Sequence, residues 1–363
     1  MTRRTFLAAP LLAAASTVES DGMLRINGRR TFLLGLYQLP TGPDPWPRAK
    51  AAGFHVVHSG SADALAQAAR HGMFGWSTTG SDLDKIRQHV ASFKDNPALL
   101  YWETEDEPSY QWRKPGVARV SPERIKAAYR LIKELDPTRP VYLNHSPTNL
   151  VETLKQYNPG GDLIATDIYP VIPHGIRPQY ALWDDGLQGD YLDATISQVG
   201  RYADKMRQVA GPSRGLFMVL QGFAWELLRE KDQNPAMVLY PTLAQTRFMA
   251  WQAIVHGVTG LIWWGLYKTP PEAPLWNDIA AVTREITAHA DDLAAPPSTA
   301  PVPEIQYHDT GHSLDKGIEY AWRGRLLVAV NADKNPVEIT WRYGPARGKR
   351  ELFEPFAVRL YRS

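Results

Sequence analysis

The chain is expected to be an α/β protein: a (β/α)8 TIM barrel followed by a small C-terminal antiparallel β domain. Three observations carry this expectation. Eight short, nearly continuous apolar segments alternate with amphipathic helical patterns between residues 24 and 293, close to the ~250 residues typical of such a barrel. Continuous apolar strands have both faces buried, as in parallel sheets under helices. A Pro-rich stretch, Ala294–Pro303, then separates this region from alternating strand patterns. A doubly wound open sheet is disfavoured, because the first strand runs into Tyr37-Gln38-Leu39-Pro40-Thr41 rather than a Gly-rich phosphate turn.

The elements follow in order. Residues 1–20 read as an export signal: Arg3-Arg4-Thr5-Phe6-Leu7, an Ala/Leu run, then small residues near Ala13–Ser16. The paired arginines suggest twin-arginine export to the periplasm or exterior, with a mature chain starting near residue 17–22. The run is too short to span a bilayer, which takes about 20 apolar residues, so no membrane anchor is expected in the mature chain. Asn27-Gly28 marks a hairpin turn. The barrel strands are expected at 32–37, 54–58, 73–77, 99–103, 141–144, 163–168, 216–220 and 260–264, with helices between them. Ser121-Pro122-Glu123 is a helix start, with a capping hydroxyl and Pro at the first helical position. The barrel is thus placed at 21–293, a linker at 294–303 and a β-sandwich-like domain at 304–363. Trp322 and Trp341 suit an exposed sugar-binding platform or inward core positions equally, and a structural role for that domain is favoured.

Composition excludes several chemistries. There is no cysteine, hence no disulfide, thiolate nucleophile or Cys-ligated metal. With 40 Lys and Arg against 38 Asp and Glu, net charge gives no reason to expect a nucleic-acid partner. No His-Glu-x-x-His, Walker loop or Gly-x-Ser-x-Gly elbow occurs. No metal or organic cofactor is expected. The sequence is silent on oligomeric state. The 12 Trp beside 16 Tyr suit a cleft that stacks flat, half-apolar ligands.

Barrel chemistry sits at the carboxyl ends of the strands. That rule selects Tyr37, His58, Trp76, the run Glu105-Asp106-Glu107, Asn144, His145, Asp167, Tyr169, Gln221, Trp263 and Trp264. Strand alternation allows only one of Trp263 and Trp264 to face inward. Ring-stacking aromatics, amides and carboxylates together describe a carbohydrate subsite. Four acids crowd Glu103–Glu107. Like charges so close raise at least one pKa, which a general acid near neutral pH requires.

Tyr101-Trp102-Glu103-Thr104-Glu105-Asp106-Glu107-Pro108 resembles the end of strand four in glycoside hydrolases of the (β/α)8 clan that carry catalytic carboxylates on strands four and seven, the beta-galactosidase and cellulase types. The resemblance implies that Glu107 is the general acid/base and that Asp106 contacts a substrate hydroxyl. It also implies a nucleophilic Glu at the end of strand seven, where this chain has Gln221. An amide cannot serve as nucleophile or base. Three readings stay open: Asp167 supplies the second carboxylate, Glu226 folds back into the site, or the barrel binds carbohydrate without cutting it.

Overall fold

The computed structural model describes residues 16–111, 117–173 and 195–362. Most of the expected export signal lies outside the described residues. Eight parallel strands close into a barrel: β1 (Leu33–Leu36), β2 (Val56–His58), β3 (Phe74–Thr78), β4 (Leu99–Asp106), β5 (Val141–His145), β6 (Leu163–Asp167), β7 (Gly215–Gln221) and β8 (Gly260–Trp264). β8 pairs with both β7 and β1, which closes the ring. The helices between them start where the side chains dictate. Ser61, Asp82 and Ser121 each accept a hydrogen bond from a first-turn amide, and Thr242 forms a reciprocal capping pair with Gln245.

The barrel interior is filled by Leu33, Val56, Trp76, Tyr101, Tyr142, Leu163, Ala165, Phe217, Val219 and Ile262. Below it, strands Ser16–Val18, Leu24–Ile26 and Arg29–Thr31 form an antiparallel sheet whose Leu24 and Ile26 join that interior. Asn27 and Gly28 both take positive φ, 48° and 82°, as a two-residue type I′ hairpin requires. Among the described residues this sheet covers one end of the barrel, and the cleft lies at the other.

Beyond the barrel, two three-stranded antiparallel sheets face each other: Ile305–His308, Val337–Trp341 and Arg350–Phe353, against Ile318–Arg323, Leu326–Asn331 and Val358–Arg362. Trp341 is buried between them with Leu327, Ile339 and Phe353. Trp322 is partly exposed and donates its indole N–H to Pro301 O at 3.0 Å. The strands at Ile305–His308 and Arg350–Phe353 escape the sequence reading because both are edge strands with mixed exposure and no clean apolar period. The second sheet packs on helix Leu243–Val255, with Phe248 and Phe356 edge to face at 5.1 Å. Among the described residues no helix is long and apolar enough to cross a membrane.

At this junction His256 bonds Asp204 at 2.8 Å and Glu319 at 3.0 Å. Burial pulls its pKa down, but the bonds and charges of the two carboxylates outweigh that and hold it at about 9. A raised folded-state pKa contributes stability that is fully present below the unfolded value, about 6.5. The contribution fades as pH rises through 9. The melting temperature of the protein is expected to drop across that window more than that of His256→Gln, as calorimetry at pH 6 and pH 9.5 would read. Equal drops in the two proteins would remove His256 from the junction's energetics.

Candidate active site

Strand β4 runs to Asp106, three residues beyond its expected end. Opposite it, Glu103 pairs with Tyr142 and Asp106 with Asn144, so two residues of β4 oppose one of β5. This β-bulge resets the two-residue alternation and points both Glu103 and Asp106 inward. Glu107 then turns the chain with φ 44°. Such a left-handed conformation is uncommon for a residue with a side chain. Its amide donates to Asn144 O at 3.1 Å, and its carbonyl accepts from Tyr110 N at 3.1 Å.

The carboxyl of Glu107 lies in the cleft, hydrogen-bonded to Asp167 at the end of β6. Burial, then the charges of Asp167 and Asp106, push the Glu107 pKa well above the ordinary carboxylate range. Asp167 rises to about 7 through burial and the Asp106 charge, against the downward pull of bonds from Glu107 and Asn144. Both carboxyls are thus shifted toward the protonated form, Glu107 the more strongly. Asn144 holds the arrangement: its Nδ2 donates to Asp106 Oδ1 at 2.9 Å and Asp167 Oδ1 at 3.1 Å. Asp106 is open to the cleft, yet desolvation still raises its pKa.

Beneath lies a second carboxyl site. Glu103 is buried and accepts from Tyr37 Oη at 3.2 Å, Trp76 Nε1 at 3.0 Å and Thr78 Oγ1 at 2.6 Å. Burial and the Asp106 charge raise it to about 7, against these three bonds. It anchors Tyr37 from below.

The cleft measures about 420 Å³. Of the expected residues, Tyr37, Asp106, Glu107, Asn144, Asp167, Tyr169 and Trp264 line it. Tyr169 and Trp264 stack at 5.6 Å. The others are placed elsewhere, each for a physical reason. His58 Nε2 bonds Thr78 Oγ1 at 3.0 Å, and its ring sits 6.2 Å from that of Tyr37, behind the wall. Trp76 is fully buried as the floor under Tyr37. His145 and Trp263 lie on the opposite side of their strands from Asn144 and Trp264. His145 packs against Tyr157, and Trp263 against Phe54.

Gln221 does not reach the cleft surface. Its Oε1 accepts from Val171 N, while Nε2 donates to Val171 O and Phe223 O, all at 3.0 Å. The amide is a clamp between the segments following β6 and β7. Glu226 is also withdrawn: it is buried, and its Oε1 accepts from Asn234 N at 2.6 Å. Its neighbour Trp225 lines the cleft instead, with Tyr110, Gln111, Arg119 and Phe223. The strand-end rule misses these because they stand on loops beyond the strands. Only the aromatic pair Phe223 and Trp225, directly after β7, carried a signal.

The chain is a closed (β/α)8 barrel with acids at the carboxyl end of its fourth strand, a fold it shares with solved glycoside hydrolases. No protein-family model and no curated protein matches the chain. A glycoside hydrolase family 5 structure from Bacteroides vulgatus is similar, with TM-score 0.57 and 13% identity, over 96% of this chain and 90% of that one. Beta-glucuronidase 2 of Bacteroides uniformis aligns with TM-score 0.51 and 10% identity, over 96% of this chain and 45% of that one. A beta-galactosidase from Marinomonas ef1 aligns with TM-score 0.50 and 12% identity, over 70% and 59%. The chain spans about half the length of most of the glucuronidase- and galactosidase-type structures it resembles. At these identities the likeness is one of fold.

Proposed function

We propose that this protein hydrolyses O-glycosidic bonds of an oligo- or polysaccharide, with Glu107 as proton donor and Asp167 as its partner. The observation that carries the reading is the juxtaposed Glu107–Asp167 carboxyl pair, set in a cleft walled by Tyr169, Trp264 and Trp225. Glycosidic cleavage needs one carboxyl to protonate the leaving oxygen and, in most enzymes, a second to attack or to activate water. Carboxyl separations of about 5–5.5 Å accompany retention and about 6.5–9.5 Å inversion. A pair in direct contact belongs to neither class. The entering sugar must part it. Glu107 then gives its proton to the leaving oxygen as the C–O bond breaks. A water oxygen bonds to the anomeric carbon and passes its proton to Asp167. When product leaves, the restored bond returns that proton to Glu107.

A second reading has its own support. Gln221 occupies the slot where strand seven would present a carboxylate, and it is spent on backbone groups. A barrel that binds carbohydrate without cutting it is consistent with this. A panel of aryl glycosides and polysaccharides, run on the protein beside Glu107→Gln, separates the two. Turnover lost in the variant supports hydrolysis, and saccharide binding without turnover in either protein supports the binding barrel.

We also propose export, with Ser16 as the first retained residue. Ser16–Val18 pairs with Leu24–Ile26, and the buried Ser16 hydroxyl donates to Leu100 O. A cut within residues 17–22 would remove part or all of this strand. Intact mass of the exported chain should begin at Ser16; a start beyond Val18 would contradict it.

A further inference from the structure

We propose that the saccharide taken by this cleft is an amino sugar, recognised through its protonated amine, rather than a neutral, N-acetylated or uronic sugar. The inference rests on the carbohydrate reading above and adds a substrate class to it. Its basis is the polar inventory of the cleft floor. Asn144 is 3% exposed and lines the cleft, and both its donations are spent on Asp106 and Asp167. Its Oδ1 has no partner. That orphaned acceptor is itself buried, behind two cleft carboxylates that are acceptors as well. A ligand must therefore arrive rich in donors, and an ammonium group brings three N–H donors with no acceptor.

Charge selects the ammonium over a hydroxyl. Asp106, Glu107 and Asp167 all line the cleft. Among the described residues Arg119 is the one cation lining it, and it stands 3.9 Å from Glu105. The described lining thus sets three acids against one cation, and the Arg119 charge, which pulls the Asp106 and Glu107 pKa values down, does not offset burial and the neighbouring carboxylates. A bound cation would relieve this repulsion, whereas a sugar carboxylate would add to it. The walls suit the same ligand. Tyr169, Trp264, Phe223 and Trp225 offer ring faces that attract both sugar C–H groups and a nearby cation. A metal is a poorer occupant: among the described residues no three His, Asp or Glu side chains are grouped to hold one.

The test is titration calorimetry of the whole protein at pH 6 and pH 7.5 with four probes: chitosan tetraose, its fully N-acetylated counterpart, cellotetraose and a tetragalacturonate. Spermidine serves as a sugar-free cation. Chitosan tetraose should bind at least about tenfold tighter than each of the others, since charge-assisted hydrogen bonds are roughly twice as strong as neutral ones. Asp106→Asn should reduce that preference several-fold. Equal binding of the amino and neutral tetramers, tighter binding of the galacturonate, or spermidine binding as tightly as the sugar would each overturn the inference. Aryl glycoside turnover is scored separately. Cleavage of neutral substrates without amine preference leaves the hydrolase reading standing and removes this one. Amine-selective binding without cleavage does the reverse.

Discussion

Glu107→Gln lowers the rate of glycoside cleavage by roughly 10²–10⁴-fold, the range a positioned general acid contributes. The folded state should be nearly unaffected, because a Gln amide in the same place can donate to Asp167. A melting curve close to that of the parent protein would therefore accompany the loss of rate. The pH profile makes the argument sharper. Activity needs Glu107 protonated and Asp167 ionised. It should fall as pH drops below about 7, where Asp167 takes up a proton, and again on the alkaline side as Glu107 loses its own. The two limbs belong to the coupled pair rather than to either residue alone. Asp167→Asn removes a negative neighbour that holds the Glu107 proton in place, so the alkaline limb should move to lower pH. A merely structural Asp167 would leave that limb where it was. Undiminished turnover in Glu107→Gln, with an unchanged profile, would end the assignment.

Strand ends were legible in the sequence because continuous apolar runs and turn residues mark where a parallel strand stops. Tyr37, Asp167 and Trp264 fall in the cleft for that reason. What the sequence could not provide was the phase of each strand. Asn144 and His145 are both polar residues at one strand end, and only pairing decides that the amide faces the cleft and the imidazole faces Tyr157. The bulge on β4 is a stronger case. Strict alternation would set Glu103, Glu105 and Glu107 on one side, with Asp106 opposite. The extra residue instead turns Asp106 into the cleft and leaves Glu105 to accept from Ser81 Oγ at 2.7 Å. No local residue preference announces it. Arg119 was invisible for another reason: it returns to the cleft from a loop twelve residues beyond Glu107.

Gln221→Glu, the substitution that would rebuild a strand-seven carboxylate, is expected to destabilise the fold by about 3–5 kcal/mol, the cost of leaving a buried charge uncompensated, and to add no activity. The parent amide is matched atom for atom: one oxygen facing Val171 N, one NH2 facing the carbonyls of Val171 and Phe223. A carboxylate keeps the first contact and turns the other two into acceptor against acceptor, in a fully buried place. The new carboxyl would have a folded-state pKa raised above its unfolded value. The folded state then binds the proton more tightly, so the penalty is greatest above that raised pKa and eases as pH falls through it. Protonation restores one donor, not two, so recovery stays partial even in acid. Urea melts of the two proteins at pH 4.5 and pH 8 would read the difference. An intact melting curve together with a gain in turnover would mean that the side chain swings free of Val171 into the cleft. In that case Gln221 would be a lost nucleophile rather than the clamp that holds Val171 and Phe223 behind the aromatic wall.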